Sequence, residues 1–180
     1  MNIIGDKVYL RAMERDDMEA FRVNANDPEI EYAVGGWSFP ISSVQQNNWF
    51  ERVSGDNSNL RLTIADKETD EVLGMINLVN IDWKSGCAFS EIRLFDSCPK
   101  KKGYGKDAVF AIMEYAFNEL RLHRLEGSII ETNIASRKLY EKCGWVVEGV
   151  KRDAVFKNGK YFDELQVAIL KDEYERLKND

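Results

Sequence analysis

The stretch that decides the fold is CAFSEIRLFDSCPKKKGYGKDAVFAIMEYAFNEL, which occupies residues 87–120. Its first part, Cys87–Phe95, predicts a strand, and Lys100–Lys106 predicts a loop rather than a continuation of that strand. After the loop, seven apolar residues recur at helical spacing and would share one face: Ala108, Val109, Ile112, Met113, Ala116, Phe117 and Leu120. The stretch therefore predicts a strand, a glycine-containing loop and an amphipathic helix in immediate succession.

The loop has the composition of an anion-binding site. Gly103 and Gly105 lack side chains, so backbone N–H groups there can approach a ligand closely, and the following helix points its positive dipole end into the loop. Four of the seven loop residues are lysines, in a chain whose net charge is −6. The alternative is an exposed turn with solvated lysines. The spacing matches neither a Walker loop nor GxGxxG, so a nucleoside triphosphate or a dinucleotide has no specific support.

Strand and helix patterns alternate on both sides of this stretch. Before it, the sequence predicts three strands and two helices: strands at Lys7–Ala12, Leu60–Ala65 and Val72–Ile81, and helices from Asp16 or Asp17 to Asn26 and from Ser42 or Ser43 to Val53. After it come a strand, a helix capped by Asn133, and a hairpin: Leu125–Ile130, Ile134–Lys142, and Val146–Phe156 with Tyr161–Leu170, joined by Asn158-Gly159. This order favours one α/β or α+β domain over residues 1–180, built on an open mixed sheet.

Composition argues against several functional classes. The 180 residues are 44% apolar and 31% charged, which is typical of one globular domain. The net charge of −6 argues against a nucleic-acid partner. No apolar run is long enough to span a membrane and the first residues do not resemble a secretory signal, so we expect a cytoplasmic protein with no membrane partner. His123 is the only histidine and the three cysteines form no CxxC pair, so no metal site is expected.

A second motif, N-I-A-S-R-K-L-Y-E-K-C-G-W, runs from Asn133 to Trp145. By itself it is explained by an ordinary helix, with Asn133 as the N-cap and Leu139 and Tyr140 as packing residues. Together with the K-x-x-G-x-G loop, however, it resembles the GNAT superfamily of acyl-CoA-dependent N-acetyltransferases. Within that superfamily the chain is similar to the branch of ribosomal-protein N-terminal acetyltransferases and spermidine acetyltransferases. Three further segments support the resemblance: VYLRAMERDD (8–17), VLGMINL (72–78) and EGVKRDAVFKNGKY (148–161).

The resemblance implies a mixed, mostly antiparallel sheet with flanking helices and a splayed cleft that binds acetyl-CoA. In the family the pantetheine arm pairs with the exposed backbone of the strand before the loop, here at Arg93, Leu94 and Phe95. The pyrophosphate is assigned to the backbone of the loop, here Lys102, Gly103, Tyr104, Gly105 and Lys106. Lys100 stands at the loop position where the family usually has Gln or Arg, and it keeps the charge without the planar geometry. The remaining cofactor contacts are assigned to the later helix: Asn133, Ser136 and Lys142.

The resemblance also assigns catalytic roles. Tyr140 matches the general acid for the departing thiolate, because a positioned phenol can donate a hydrogen bond or a proton as charge develops. Glu91 matches the acidic residue that would accept the proton of the amine, directly or through water, and a cross-strand ion pair is an equal alternative for it. Nothing marks Cys98 as an acylated nucleophile, so direct transfer within a ternary complex is expected.

The acceptor site is expected between Glu29 and Trp49, where Glu31 and Trp37 are the candidate substrate contacts. The implied activity is acetylation of a primary amine on a small molecule of the polyamine, amino-acid or amino-sugar type. One alternative is the α-amine at the N-terminus of a ribosomal or other protein, and another is a catalytically silent CoA-binding module. By analogy with the branch, the resemblance also suggests a homodimer.

Overall fold

The computed structural model of the chain describes residues 1–35, 39–95, 97–99 and 102–179. Within these ranges there are six α-helices: α1 (Met18–Ala25), α2 (Pro28–Ala33), α3 (Ser43–Ser54), α4 (Tyr104–Glu114), α5 (Ile134–Lys142) and α6 (Lys171–Asn179). The same ranges contain eight strands: β1 (Ile3–Ile4), β2 (Val8–Ala12), β3 (Leu60–Asp66), β4 (Val72–Asp82), β5 (Cys87–Leu94), β6 (Arg124–Ile130), β7 (Val146–Lys157) and β8 (Lys160–Leu170). A 3-10 turn, Arg15–Asp17, precedes α1, and a π-helical segment, Tyr115–Glu119, follows α4.

These strands form one sheet in the order β1-β2-β3-β4-β5-β6-β8-β7. Neighbouring strands are antiparallel except β5 and β6, which are parallel. A parallel pair needs a long crossover connection, and α4 supplies it. The predicted fold class, a mixed and mostly antiparallel sheet with flanking helices, is confirmed.

The parallel pair is short, and this opens the sheet. β5 pairs with β6 only over Cys87–Phe89, opposite Arg124–Glu126, although β5 stays paired with β4 as far as Leu94. β6 in turn continues beside β8 to Ile130. The carboxyl halves of β5 and β6 therefore diverge, and the space between them, the β5–β6 gap, corresponds to the splayed cleft that the resemblance implies.

Helices cover both faces of the sheet. On the α4 face, the main core packs α4, α5 and α6 against the strands through buried side chains such as Ile112, Tyr140 and Tyr174. On the α1–α3 face, a smaller cluster that includes Phe21 and Met75 joins α1 and α3 to the sheet. The central strands β4 and β5 therefore have helices on both sides, so each of their side chains points toward one helical layer or the other.

The helices differ from the prediction at three points. Tyr104, expected in the loop, begins α4, because Gly103 takes a left-handed φ of 87° and serves as the N-cap. The helix expected to run to Leu120 becomes π-helical after α4. A short helix that was not predicted, α2, begins at Pro28, since proline suits the first position of a helix. The short strand β1 and the terminal helix α6 were not predicted.

The start of α4 is tied to the turn between β1 and β2. The Asp107 carboxylate in the first turn of α4 accepts hydrogen bonds from the backbone N–H groups of Asp6, Lys7 and Val8 at 2.9, 2.8 and 2.9 Å. Gly5 allows this approach, because a Cβ there would lie 2.5 Å from Oδ2 of Asp107. The amino end of α4 is therefore held in a fixed position at the mouth of the β5–β6 gap.

Replacing Asp107 with Ala should lower the free energy of unfolding by about 2 kcal/mol, because three backbone donors lose a charged acceptor. Chemical denaturation monitored by circular dichroism measures this loss. Asp107→Asn keeps one acceptor oxygen and should be destabilised less than Asp107→Ala. An Asp107→Ala variant as stable as the wild type would contradict the anchoring role.

Candidate active site

Tyr140 lies at the β5–β6 gap, on the inward face of α5. Its side chain is 4% exposed, its ring packs edge-to-face on Trp145 with centroids 4.7 Å apart, and its hydroxyl donates to the carbonyl oxygen of Ser90 at 3.4 Å. Burial raises the pKa of Tyr140 well above its ordinary value, and the charges of Glu91 and Cys143 raise it further. The hydroxyl is therefore a protonated donor at neutral pH, beside the edge of β5 that β6 leaves open.

Phe95 was expected to pair with the pantetheine arm, and the structure corrects this. The N–H of Phe95 donates to the carbonyl oxygen of Leu73 at 2.9 Å, and its own carbonyl accepts from the N–H of Cys98 at 3.0 Å. Its ring packs edge-to-face on Phe21 in the smaller core cluster. Both backbone groups of Phe95 are thus engaged within the protein, and its side chain is a packing residue.

Arg93 also turns its backbone away from the β5–β6 gap. A Cβ on Gly74 of β4 would lie 2.2 Å from the carbonyl oxygen of Arg93, so that carbonyl faces β4. Because the backbone groups of successive strand residues point to opposite sides, those of Ile92 and Leu94 face the gap. The backbone groups of Arg93 are therefore turned away from the gap, whereas those of Leu94, which was in the predicted set, and of Ile92, which was not, face it.

The amino end of α4 offers backbone donors at one end of the β5–β6 gap. Gly103 is the N-cap, and the N–H groups of Tyr104, Gly105 and Lys106 lie in the first turn, where a helix has no carbonyl to pair with them. A Cβ on Gly105 would lie 3.0 Å from Cδ1 of Leu94, so α4 sits directly against β5. The predicted anion-binding residues that the structure describes are thus adjacent to the open edge of the strand.

Two side chains hold this loop from outside. Lys7 Nζ donates to the carbonyl oxygen of Lys102 at 2.6 Å, and the Tyr104 hydroxyl donates to Oδ2 of Asp66 at 2.6 Å. The second bond lowers the pKa of Asp66 to about 2 and raises that of Tyr104 to about 12. The side chain of Tyr104 is therefore engaged with the β3–β4 turn, and its backbone N–H is what it offers to an anion. Lys100 lies outside the described residues.

Both polar atoms of the Asn133 side chain have a hydrogen-bond partner within the protein. Its Oδ1 accepts from the N–H of Ser136 at 3.0 Å, which caps α5, and its Nδ2 donates to the carbonyl oxygen of Ala33 at 2.8 Å, which links α5 to the end of α2. The N-cap alternative for Asn133 is what the structure shows. Ser136 is half-buried in the first turn of α5, whereas Lys142 is exposed at the other end of that helix.

On the α1–α3 face, Glu91 has a hydrogen-bond partner on the next strand. Asn77 of β4 lies directly opposite Glu91 and donates from Nδ2 to Oε2 of Glu91 at 3.3 Å. The cross-strand partner is therefore an amide rather than the cation that the ion-pair alternative required. Glu91 directly follows Ser90, whose carbonyl oxygen accepts the hydrogen bond from Tyr140, so the two candidate catalytic residues are close to each other along β5.

Sequence reasoning missed two polar side chains beside Glu91. Asn77 is 5% exposed, and Arg93 is half-buried. Met75, the cross-strand partner of Arg93, belongs to the cluster under α1 and α3, so Arg93 and Glu91 both project to that face. The only signal in the sequence was the alternation of side chains along a strand. It indicates that Arg93 and Glu91 share one face of β5, but it does not reveal that Asn77 of β4 lies beside them.

The candidate substrate residue Glu31 connects α2 to the β7–β8 hairpin. Its carboxylate forms an ion pair with Lys157, whose Nζ also donates to the backbone carbonyl oxygen of Glu31 at 2.7 Å. Tyr32 packs edge-to-face on Phe162 at 6.4 Å between ring centroids. These contacts fasten α2 to the hairpin beside the amino end of α5. Trp37 lies outside the described residues.

Other features lie away from this site. Among the described residues, no group of three or more His, Cys, Asp or Glu could hold a metal ion, and none of their helices is long and apolar enough to cross a membrane. A cavity of about 500 Å³ is bordered by Phe50, Arg61 and Trp83 at the opposite end of β3 and β4. None of the predicted site residues borders this cavity, so the β5–β6 gap, and not the cavity, is the candidate active site.

Comparisons with known proteins agree with this geometry. A family model described as an acetyltransferase (GNAT) domain matches residues 7–146. A Bacillus subtilis protein named "probable N-acetyltransferase YjcK" is 31% identical over 166 residues, which is 92% of this chain and 87% of that protein. The spermidine N(1)-acetyltransferase of Vibrio cholerae is 25% identical over 173 residues, which is 95% of this chain and 97% of that protein.

A solved structure supports the fold independently. Spermidine N-acetyltransferase from Vibrio cholerae, in complex with CoA and spermine, superposes with a TM-score of 0.84 at 24% identity. The match covers 94% of this chain and 98% of that one. Because the family model spans well over half of the sequence, the chain belongs to the GNAT acetyltransferase family and is an acyltransferase.

Proposed function

We propose that this chain transfers an acetyl group from acetyl-CoA to the primary amine of a small molecule, directly and within a ternary complex. The observation that carries the proposal is the β5–β6 gap, which has helix amides at one end and, farther along β5, the Tyr140 hydroxyl on the carbonyl oxygen of Ser90, the residue before Glu91. The backbone of Ile92 and Leu94 supports pairing with the pantetheine arm, and the first-turn amides of α4 support binding of the pyrophosphate.

The proposed reaction uses these positions as follows. Bound acetyl-CoA supplies an acyl group activated as a thioester. The neutral amine adds its lone pair to the thioester carbonyl carbon, an N–C bond forms, and the C–S bond breaks to release the thiolate of CoA. Tyr140 donates a hydrogen bond to the sulfur as negative charge develops, and Glu91 accepts the proton that the nitrogen loses, directly or through water.

A thiol-release assay over polyamines, amino acids, amino sugars and peptides with free N-termini tests this function. Acetyl-CoA-dependent release that is fastest with a small amine supports the proposal. Faster release with the peptides would favour acetylation of a protein N-terminus. Binding of CoA with no release for any amine would contradict acetyl transfer and leave a silent CoA-binding module.

Substituting Gly103 with Val should weaken CoA binding by about 10- to 100-fold, because charge-assisted hydrogen bonds from the first turn of α4 are lost. Gly103 has φ 87°, a conformation that a β-branched residue resists, so the N-cap must shift. Isothermal titration calorimetry with CoA measures the change.

Gly159→Val is the matched control for this prediction. Gly159 also has a positive φ, 78°, and a Cβ there meets nothing within 4 Å. The control imposes the same kind of backbone strain in the β7–β8 turn and should leave CoA affinity within about twofold. Unchanged CoA affinity in a folded Gly103→Val protein would show that this loop does not bind the pyrophosphate.

A further inference from the structure

Among the residues that the structure describes, Arg93 stands out as a half-buried arginine whose guanidinium makes no hydrogen bond or ion pair. Its side chain is half-buried on the α1–α3 face of β5, and burial lowers the pKa of its guanidinium, against the opposing effect of the Glu91 charge. No hydrogen bond or ion pair joins that guanidinium to any other residue within the described ranges. A charge withdrawn from water without a group that accepts its hydrogen bonds is destabilising. Other half-buried arginines are paired, as Arg11 is with Asp17 and Arg61 with Asp56.

Two residues beside Arg93, Glu91 and Asn77, carry groups that accept hydrogen bonds. Glu91, two residues earlier on the same strand face, carries the opposite charge and is exposed. Asn77 is buried and uses Nδ2 on Glu91, whereas its Oδ1 has no hydrogen-bond partner among the described residues. Two groups that accept hydrogen bonds therefore stand beside one that donates them, all on the α1–α3 face of β4 and β5.

We propose that the amine acetylated here also carries a carboxylate, with Arg93 binding the carboxylate while Glu91 and Oδ1 of Asn77 receive the N–H groups of the amine. This inference rests on the proposed function and narrows its substrate class to amino-acid-like acceptors. Arginine suits the role because its planar guanidinium binds a carboxylate through two parallel hydrogen bonds.

The spacing of the three residues fits such a molecule. Residues two apart in a strand are separated by about 6.6 Å, and the flexible side chains of Glu91 and Arg93 can converge from that separation on two groups a few ångströms apart. A polyamine would instead bring a second ammonium group toward the Arg93 guanidinium, and like charges repel most strongly where water is partly excluded.

Matched acceptor pairs test the proposal: L-alanine against ethylamine, and L-phenylalanine against 2-phenylethylamine. Values of kcat/KM, corrected for the fraction of free amine, should favour the amino acid by about 10- to 100-fold. Arg93→Gln should abolish this preference, mainly through the KM of the amino acid, and Arg93→Lys should restore part of it. Arg61→Gln, which alters a paired arginine on β3, should leave the preference intact.

Stability and binding provide independent readouts. The melting temperature of Arg93→Gln should equal or exceed that of the wild type, because the substitution removes a half-buried charge that has no partner within the described ranges. Calorimetry with CoA present should show N-acetylalanine binding more tightly than N-ethylacetamide, and Arg93→Gln should erase that difference.

The two proposals can fail separately. Equal use of both members of each pair by the wild type, or a preference that survives Arg93→Gln, would overturn the carboxylate site and leave acetyl transfer standing. If no amine were acetylated, the proposed function would fail. The calorimetric comparison would then decide the carboxylate site alone, and equal binding of the two acetylated compounds would overturn it.

Discussion

Replacing Tyr140 with Phe is expected to lower kcat by about 10²–10⁴-fold while the affinity for acetyl-CoA stays within about threefold. The substitution removes only the hydroxyl and keeps the edge-to-face contact with Trp145. A loss confined to kcat identifies an interaction that is made in the transition state. Steady-state kinetics of thiol release, together with calorimetric titration of CoA, measure the two quantities.

The raised pKa of Tyr140 indicates how the hydroxyl contributes. The ordinary pKa of a phenol, about 10, already exceeds the value of about 8.5 for a thiol. Burial, followed by the charge of Glu91, raises the pKa of Tyr140 further, so complete proton transfer to the thiolate is unfavourable. A hydrogen bond that strengthens as charge develops on the sulfur requires no transfer. Because Tyr140 stays protonated, it should add no basic limb to the wild-type pH profile below pH about 10.

Tyr174 provides the matched control. It is also a buried tyrosine, 2% exposed, and its hydroxyl donates to Glu114. It lies on α6, against Phe117 and away from the β5–β6 gap. Tyr174→Phe should keep kcat within about twofold of the wild type. If Tyr140→Phe also kept kcat within that range, Tyr140 would be a packing residue and nothing more.

The elements that could be predicted well are those whose conformation is determined by residues adjacent in the sequence. Asn158 and Gly159 have positive φ values of 47° and 78° and join β7 to β8, because a two-residue hairpin turn requires that conformation. The helix α6 has no comparable local signal. Its residues are mostly charged and exposed, and its one buried residue, Tyr174, packs on Phe117 in a contact that no local pattern contains.

The same distinction explains what could be predicted of the site. The loop before α4 and the motif around Tyr140 are continuous in sequence, so they could be identified there. Which backbone groups of β5 face the gap depends on the register of β5 with β4. That register directs the backbone groups of Arg93 toward β4 and leaves those of Ile92 facing the gap. The bond between Asn77 and Glu91 depends on the same register, because it joins residues of two different strands.

Replacing Glu91 with Gln is expected to lower kcat/KM by about 10²-fold near pH 7 and by much less near pH 10. At neutral pH an alkylamine with a pKa of about 10.4 is almost entirely protonated, so attack needs a group that accepts its proton. As the pH approaches that pKa, free amine becomes abundant and the contribution of a base diminishes. The ratio of wild-type to variant kcat/KM, measured across this pH range, should therefore fall steadily as the pH rises.

The substitution is well matched to the structure. A glutamine side chain is isosteric with that of Glu91 and keeps an oxygen for the hydrogen bond from Asn77 Nδ2, so the pairing of β4 and β5 should persist. Glu126→Gln, on β6 and paired with Arg124, is the control and should give a pH profile that superposes on the wild type. A purely structural Glu91 would produce a loss of stability together with a constant ratio of kcat/KM at every pH. Parallel profiles for the wild type and a folded Glu91→Gln protein would therefore show that Glu91 is not the base and that bulk water accepts the proton of the amine.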